Sequence, residues 1–336
     1  MFNKKIVMLI FSLVLTSLVI LTGCSSSTPS STKSADNSSA PVAKHKIAMV
    51  ADASIADGGW TTACYQAMLD AAKKNGYETA YSENVKQSDY VSTFKQYADL
   101  GYDLIFAPGS QYTDAIKELA PQYPKTGFIL LNGTVNGVSN ITSVMPNAQQ
   151  IGYLAGALAG LQTKTNSIGF IGGMELDTTK VKLASYEAAA KKVNPKVTVT
   201  NAYAGSFNDS AKGKEIATSM VSTKDVDVIF GDASAVDAGA RQGLKTSKNR
   251  YAIAQPGDFL KDDPETIASS ICTNNSALID VCMKDFAAGK FGGKTVYGDL
   301  NNGCLSVGQF GQNCPKEVQD AFSKVVEQIK NGTFIK

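Results

Sequence analysis

YDLIFAPGS at residues 102–110 and VDVIFGDAS at residues 226–234 are two versions of one pattern. Each carries an aspartate in second position, runs through aliphatic residues to a phenylalanine, and ends in small and polar residues. Such a run reads as a buried strand ending in a sharp turn. Each is followed by a helix with an early aspartate, Asp114 or Asp237. Each is preceded by a helix that opens after a serine, in SDYVSTFKQYADL (88–100) and SAKGKEIATSMVS (210–222). A strand–helix unit recurring in both halves of the chain points to two similar α/β lobes related by pseudo-symmetry.

Working outward, the rest of the chain alternates in the same way. KIAMVAD (46–52), YETAYS (77–82), GFILLNG (127–133) and ITSVMP (141–146) supply strands to the first half. SIGFIGG (167–173), KVTVTNAYAG (196–205) and YAIAQPGD (251–258) supply them to the second. The fold class expected is α/β, with two doubly wound lobes. Ligands of open α/β sheets bind beyond the carboxyl ends of the strands. Two facing lobes would set both rows of strand-end loops along one cleft.

The first residues stand apart from this body. Lys4 and Lys5 precede the apolar run IVMLIFSLVLTSLVIL (6–21), which has signal-peptide character. Leu21-Thr22-Gly23-Cys24 resembles the bacterial lipobox, with cleavage before Cys24 and lipid attached to it; an uncleaved membrane anchor is the alternative. SSSTPSSTKSADNSSAP (25–41) has no aromatic or β-branched aliphatic residue and reads as a flexible tether. About twenty such residues reach roughly 25 Å. The expected organisation is a signal peptide over 1–23 and a lipidated tether over 24–44. One lobe would take 45–145 and about 274–302, the other 146–273 and about 303–336.

Composition excludes several classes of function. A net charge of +2, from 32 basic and 30 acidic residues, is too small to argue for nucleic acid. His45 is the only histidine and lies at the end of the tether. Triads, Cys–His pairs and zinc–histidine centres all lack their central residue, so no enzyme, metal or cofactor is expected. Gly292-Gly293-Lys294-Thr295 imitates a phosphate loop, but Ala288 stands where its first glycine belongs. Gly152, Gly156 and Gly160 recur at four-residue spacing on one apolar helix and suggest close packing against a sheet. Five cysteines follow Cys24, and Cys304 and Cys314 are the pair expected to form a disulfide.

Certain stretches resemble a known family. AMVAD followed by DGGW, IGYLAGALAGLQTKTNSIGFIGGM (151–174), YAGSFNDSAKGKE (203–215) and VYGDLNNGCLSVGQFGQNCPKEV (296–318) are similar to the basic membrane protein family. Its members are substrate-binding lipoproteins of ABC importers and include purine nucleoside receptors. The resemblance implies the type I periplasmic-binding-protein fold, with lobes joined by three crossing strands. It implies a monomer anchored through Cys24 on the extracytoplasmic face, partnered by an ABC permease. The ligand implied is a purine nucleobase or nucleoside held between aromatic rings; a ligand-sensing receptor, or a binder of another small solute, is the alternative.

Phe207 matches the aromatic residue of the GSF stretch. Trp60, the only tryptophan, sits behind Gly58 and Gly59 on a strand-to-helix turn and is its natural partner ring, with core filler as the alternative. In the AQPGDF stretch only Asp258 survives of two aspartates written in nucleoside receptors, and Cys272 stands where they carry a lysine. Both departures favour a bare base over a nucleoside. Further candidates at strand ends are Ser110, Gln111, Asn132, Asp232 and Gln255, with turn or cap chemistry as their alternative. Asp57 would either cap a helix or touch ligand. Met174 would line the cleft wall or fill the interior.

Overall fold

The computed structural model describes residues 44–335; the signal-peptide, lipidation and tether readings lie outside the described residues, apart from the last residue of the tether. Six strands form the first sheet, in the order β11 (Lys294–Gly298), β5 (Ile141–Pro146), β4 (Gly127–Leu131), β3 (Leu104–Ala107), β1 (Lys46–Val50), β2 (Glu78–Ser82). All neighbours are parallel. Parallel strands covered on both faces are apolar throughout, and β3 and β4 are buried at every position.

Alternation sends the side chains of β1 to opposite layers. Ile47 and Met49 pack with Cys64 and Met68 of α1 (Trp60–Asn75) and Ile279 of α8 (Asn275–Ala287). Ala48 and Val50 pack with Phe94 of α2 (Tyr90–Asp99) and Ile116 of α3 (Thr113–Leu119).

The second sheet repeats the plan, in the order β12 (Leu305–Val307), β10 (Ile267–Thr273), β9 (Tyr251–Ala254), β8 (Val228–Asp232), β6 (Ser167–Gly172), β7 (Thr198–Tyr203). Only β12 runs antiparallel to its neighbour. One face is covered by α4 (Ala148–Gln162), α5 (Asp177–Val193) and α9 (Lys316–Lys330), the other by α6 (Ser210–Lys224) and α7 (Ala235–Leu244).

The chain passes between the sheets after β5, after β10 and after β11. These crossings are bonded side by side. The Asn147 N–H donates to Gly298 O at 2.7 Å, and the Asn274 N–H donates to Cys304 O at 2.6 Å. Three short, mutually bonded crossings resist twisting but permit bending.

Two sequence expectations need correction here. The glycine stripe of α4 packs against another helix rather than the sheet. A Cβ at Gly152 would lie 2.4 Å from Lys182 O, and one at Gly156 would lie 2.1 Å from Tyr186 O, both on α5. Small residues are needed because the two backbones nearly touch. The expected disulfide does not form either: Cys64, Cys272, Cys282, Cys304 and Cys314 are all free thiols. Cys304 lies in the third crossing, tight against Gly298, whereas Cys314 precedes α9. Both are buried, and burial pushes the Cys304 thiol up to about 12, with the Asp299 charge adding, and the Cys314 thiol up to about 11.

Asp280 clasps α8 to the end of α1. It accepts from Lys74 at 2.7 Å, Asn75 at 2.8 Å and Lys284 at 2.8 Å. Burial acts against its charge, but the bonds from Asn75, Lys284 and Lys74 outweigh it and hold the carboxyl down to about 2. A lowered folded-state pKa contributes stability above the ordinary value of 3.8, and that stability is lost as pH falls toward 2. Asp280→Asn should therefore lower the denaturant midpoint at neutral pH, and the gap from the parent protein should close between pH 3.8 and about 2. A gap constant with pH would show that the carboxylate charge is not what holds the helices.

Candidate ligand-binding cleft

The carboxyl ends of both sheets' strands open on one cleft. Its position, at the strand ends between two lobes, is where small organic ligands bind in such sheets. The first sheet contributes Asp52 and Trp60 from the turn after β1, Pro108 to Gln111 after β3, and Asn132 after β4. The second contributes Leu176, Thr179 and Lys182 around the start of α5, Phe207, Asp232 to Ser234 after β8, and Gln255 and Pro256 after β9.

Trp60 is the first residue of α1 and is half-buried. Its Nε1 donates to Pro108 O at 2.6 Å, which ties the ring to the neighbouring strand-end loop. The indole also packs on the core behind it. One flank is therefore anchored and the ring is held in place on the cleft wall. Phe207, on the other lobe, lies against Gly173. A Cβ there would sit 2.3 Å from the Phe207 ring, so only glycine allows this placement. Two aromatic rings, one from each sheet, thus line the same cleft.

Polar groups surround the rings. The Asp52 carboxylate accepts from Gln111 Nε2 at 3.0 Å and from the Tyr90 hydroxyl at 3.4 Å. Burial raises the Tyr90 and Tyr112 phenols well above their ordinary value, and the nearby Asp52 charge adds to this. Both hydroxyls stay protonated. On the facing wall, Asp232 Oδ1 accepts from Lys182 Nζ and from Gln255 Nε2, each at 2.6 Å. Asn132 adopts φ +61°, a left-handed conformation that asparagine tolerates better than most residues.

Trp60, Phe207, Asp232, Asn132, Ser110, Gln111 and Gln255 all line the cleft. Asp57, Met174 and Asp258 do not, and each has a physical reason. Asp57 accepts from the N–H groups of Gly59, Thr61 and Thr62 and so caps α1. It also accepts from the Ser234 hydroxyl at 2.6 Å, a direct bond between the lobes. Burial opposes its charge, but these bonds prevail and lower its pKa. Asp258 spends its oxygens on the N–H groups of Gln309 and Leu260, pinning a loop beside β12. Met174 is 42% exposed and turns outward, while Leu176 takes the wall position.

Asp52 and Lys182 were missed by sequence reasoning. Asp52 ends the strand KIAMVAD, a strand-end position that could have flagged it. Lys182 lies mid-helix and carried no such signal.

Two α/β lobes, bonded crossings between them and a shared cleft along their strand ends define a two-lobed solute-binding protein. Comparison with known proteins agrees. Residues 44–336 match the Bmp family model, described as ABC transporter substrate-binding protein PnrA-like, and the chain belongs to that family. The ABC transporter nucleoside-binding protein BmpA of Lactococcus lactis subsp. cremoris is 31% identical, with 98% of each chain covered. A CD4+ T-cell-stimulating antigen of Listeria innocua is 28% identical, again over 98% of each. A solved solute-binding protein of an ABC transporter system from Aeropyrum pernix K1 superposes with TM-score 0.74 at 20% identity, over 87% of this chain and 82% of that one. The expected periplasmic-binding-protein fold is thereby established. The family is one of solute binders rather than enzymes.

Proposed function

We propose that the protein is a lipid-anchored, extracytoplasmic receptor that captures a purine nucleobase or nucleoside and delivers it to an ABC permease. The observation that carries this reading is the pair of rings, Trp60 and Phe207, facing one cleft from opposite lobes. A flat heterocycle entering between them gains two stacking faces, each contributing roughly 1–3 kcal/mol. Hydrogen bonds at about 1 kcal/mol each then bring the affinity into the micromolar to nanomolar range. The nucleoside-binding name of the Lactococcus lactis relative supports the same class of ligand.

Capture works by bending at the three crossings. The moving bodies are residues 45–145 with about 274–302, and 146–273 with about 303–336. No covalent bond changes; the closed shape is what a permease would recognise. Among the described residues no helix is long and apolar enough to cross a membrane; attachment through Cys24 is supported by the lipobox-like stretch Leu21-Thr22-Gly23-Cys24. Cys24→Ser should leave the precursor unprocessed or release the protein to the medium, as read by metabolic lipid labelling and fractionation. Retained, still lipid-labelled protein would reject the anchor.

Trp60, the only tryptophan, provides the test of the ligand. Saturable change of its emission on titration with hypoxanthine, adenine or their nucleosides is expected. Phe207→Ala should weaken that binding about five- to 150-fold through loss of one stacking face. A silent emission, with no purine in the mass spectrum of the freshly purified protein, would refute the purine assignment.

A further inference from the structure

Stacking between rings needs no charge, yet the cleft wall of the second lobe carries a salt bridge. Lys182 Nζ lies 2.6 Å from Asp232 Oδ1, with side chains only 9% and 13% exposed. Gln255 Nε2 occupies the same carboxylate oxygen at 2.6 Å and also donates to Gly231 O. All three residues line the cleft.

A donor and acceptor count shows what remains free. An ammonium has three N–H donors, and among the described residues Lys182 gives only one, to Asp232. Asp232 Oδ1 accepts two bonds, whereas Oδ2 accepts none from the described residues. The wall therefore presents two spare N–H donors beside one spare carboxylate oxygen. When a ligand displaces water from so buried a place, each spare donor left without an acceptor carries a penalty. Leu176, Thr178 and Thr179 at the start of α5 border the same space, and a helix N-terminus also favours an electron-rich oxygen.

Resting on the purine reading above, we infer that Lys182 and Asp232 select a lactam edge, a ring carbonyl beside a ring N–H, as in a 6-oxopurine. The carbonyl oxygen, a strong acceptor, takes a charge-assisted bond from one spare Lys182 donor. The adjoining ring N–H donates to Asp232 Oδ2. An aminopurine can satisfy the carboxylate through its amino group, but it offers the ammonium only an aromatic ring nitrogen, a weaker acceptor of a charge-assisted bond than a carbonyl oxygen.

Titration of the intact protein with hypoxanthine and adenine, read by Trp60 emission and calorimetry, tests this. The parent protein should prefer hypoxanthine by about tenfold or more. The double variant Lys182→Met/Asp232→Asn, which removes both charges and strands neither, should bring the two affinities to within about threefold. Lys182→Arg, which keeps the donors, should retain the preference. Reading the ratio removes any shared loss from imperfect folding. Equal or tighter binding of adenine by the parent protein overturns the lactam assignment and leaves the purine reading standing. A tenfold preference surviving in the double variant overturns the role of these two residues. Binding of neither base and of neither nucleoside, inosine or adenosine, overturns the purine reading, and this inference with it.

Discussion

Gly59→Val should weaken ligand binding by about 100-fold or more while the protein still folds and melts within a few degrees of its parent. Gly59 lies against Ser234 of the opposite lobe. A Cβ there would lie 2.7 Å from Ser234 Oγ, 2.9 Å from Ser234 Cα and 3.1 Å from its carbonyl carbon. A flexible tip could swing away, but a backbone atom of the opposite lobe cannot. Ser234 is also held firmly. It takes φ +53°, rare for a residue with a side chain, and bonds both Asp57 and the Trp60 N–H. A branched side chain at position 59 must therefore push the lobes apart.

The cost falls on closure because the affected contact joins lobes and does not stabilise either one internally. Forfeiting the Asp57–Ser234 bond and part of one stacking face amounts to roughly 3 kcal/mol, which is the 100-fold loss. The measurements are purine titration by Trp60 emission or calorimetry, together with a thermal melt. Undiminished affinity in a folded variant would mean that ligand binds without these lobes meeting. Gly58→Ala is a useful comparison: it strains a positive φ of +64° but meets nothing within 4 Å, so it should spare closure.

Gly156→Ala should instead strike stability. One added methyl at this position lies 2.1 Å from Tyr186 O and 2.7 Å from its Cα, inside the contact between α4 and α5. Neither helix can give way freely. Leu154 and Leu158 of α4 are fully buried on one side, and Tyr186 is packed against Phe170 and Phe230 on the other. Overpacking of this kind costs about 3 kcal/mol, or roughly 6–12 °C in a domain of this size. Circular-dichroism melting and denaturant titration would report it. A shift under about 1 kcal/mol would show that α5 slides without strain. Because Lys182 lies one turn before Tyr186 on α5, any displacement that is tolerated should also disturb the cleft wall.

Local pattern accounts for most of what was legible. The α/β alternation is written in strand-length apolar runs such as LIFA and GFILL, whose burial on both faces needs no knowledge of the rest of the chain. The repeat of YDLIFAPGS in VDVIFGDAS signalled two sheets, each with the central strand and turn that a ligand site requires. Trp60 could be nominated because a large ring at a glycine-rich strand end has few structural uses, and Phe207 because it matches the aromatic residue of the family's GSF stretch.

Tertiary structure decided which polar groups face the ligand. Asp57 and Asp258 look no different in sequence from Asp52 and Asp232, since all four end strands or lie in turns. Backbone N–H groups happen to converge on the first pair and leave cleft-facing oxygens on the second. Lys182 stands in the polar stretch TTKVKLAS, where a lysine ordinarily reads as solvated surface. Only the packing of α5 against the glycines of α4 brings it over Asp232. Likewise, the ten-residue separation of Cys304 and Cys314 could not show that one faces Gly298 in a crossing and the other precedes α9. Periodicity and turn chemistry act between near neighbours and so can be read along the chain. The partners of a carboxylate, an ammonium or a thiol come from distant segments, and only the folded packing brings them within bonding distance.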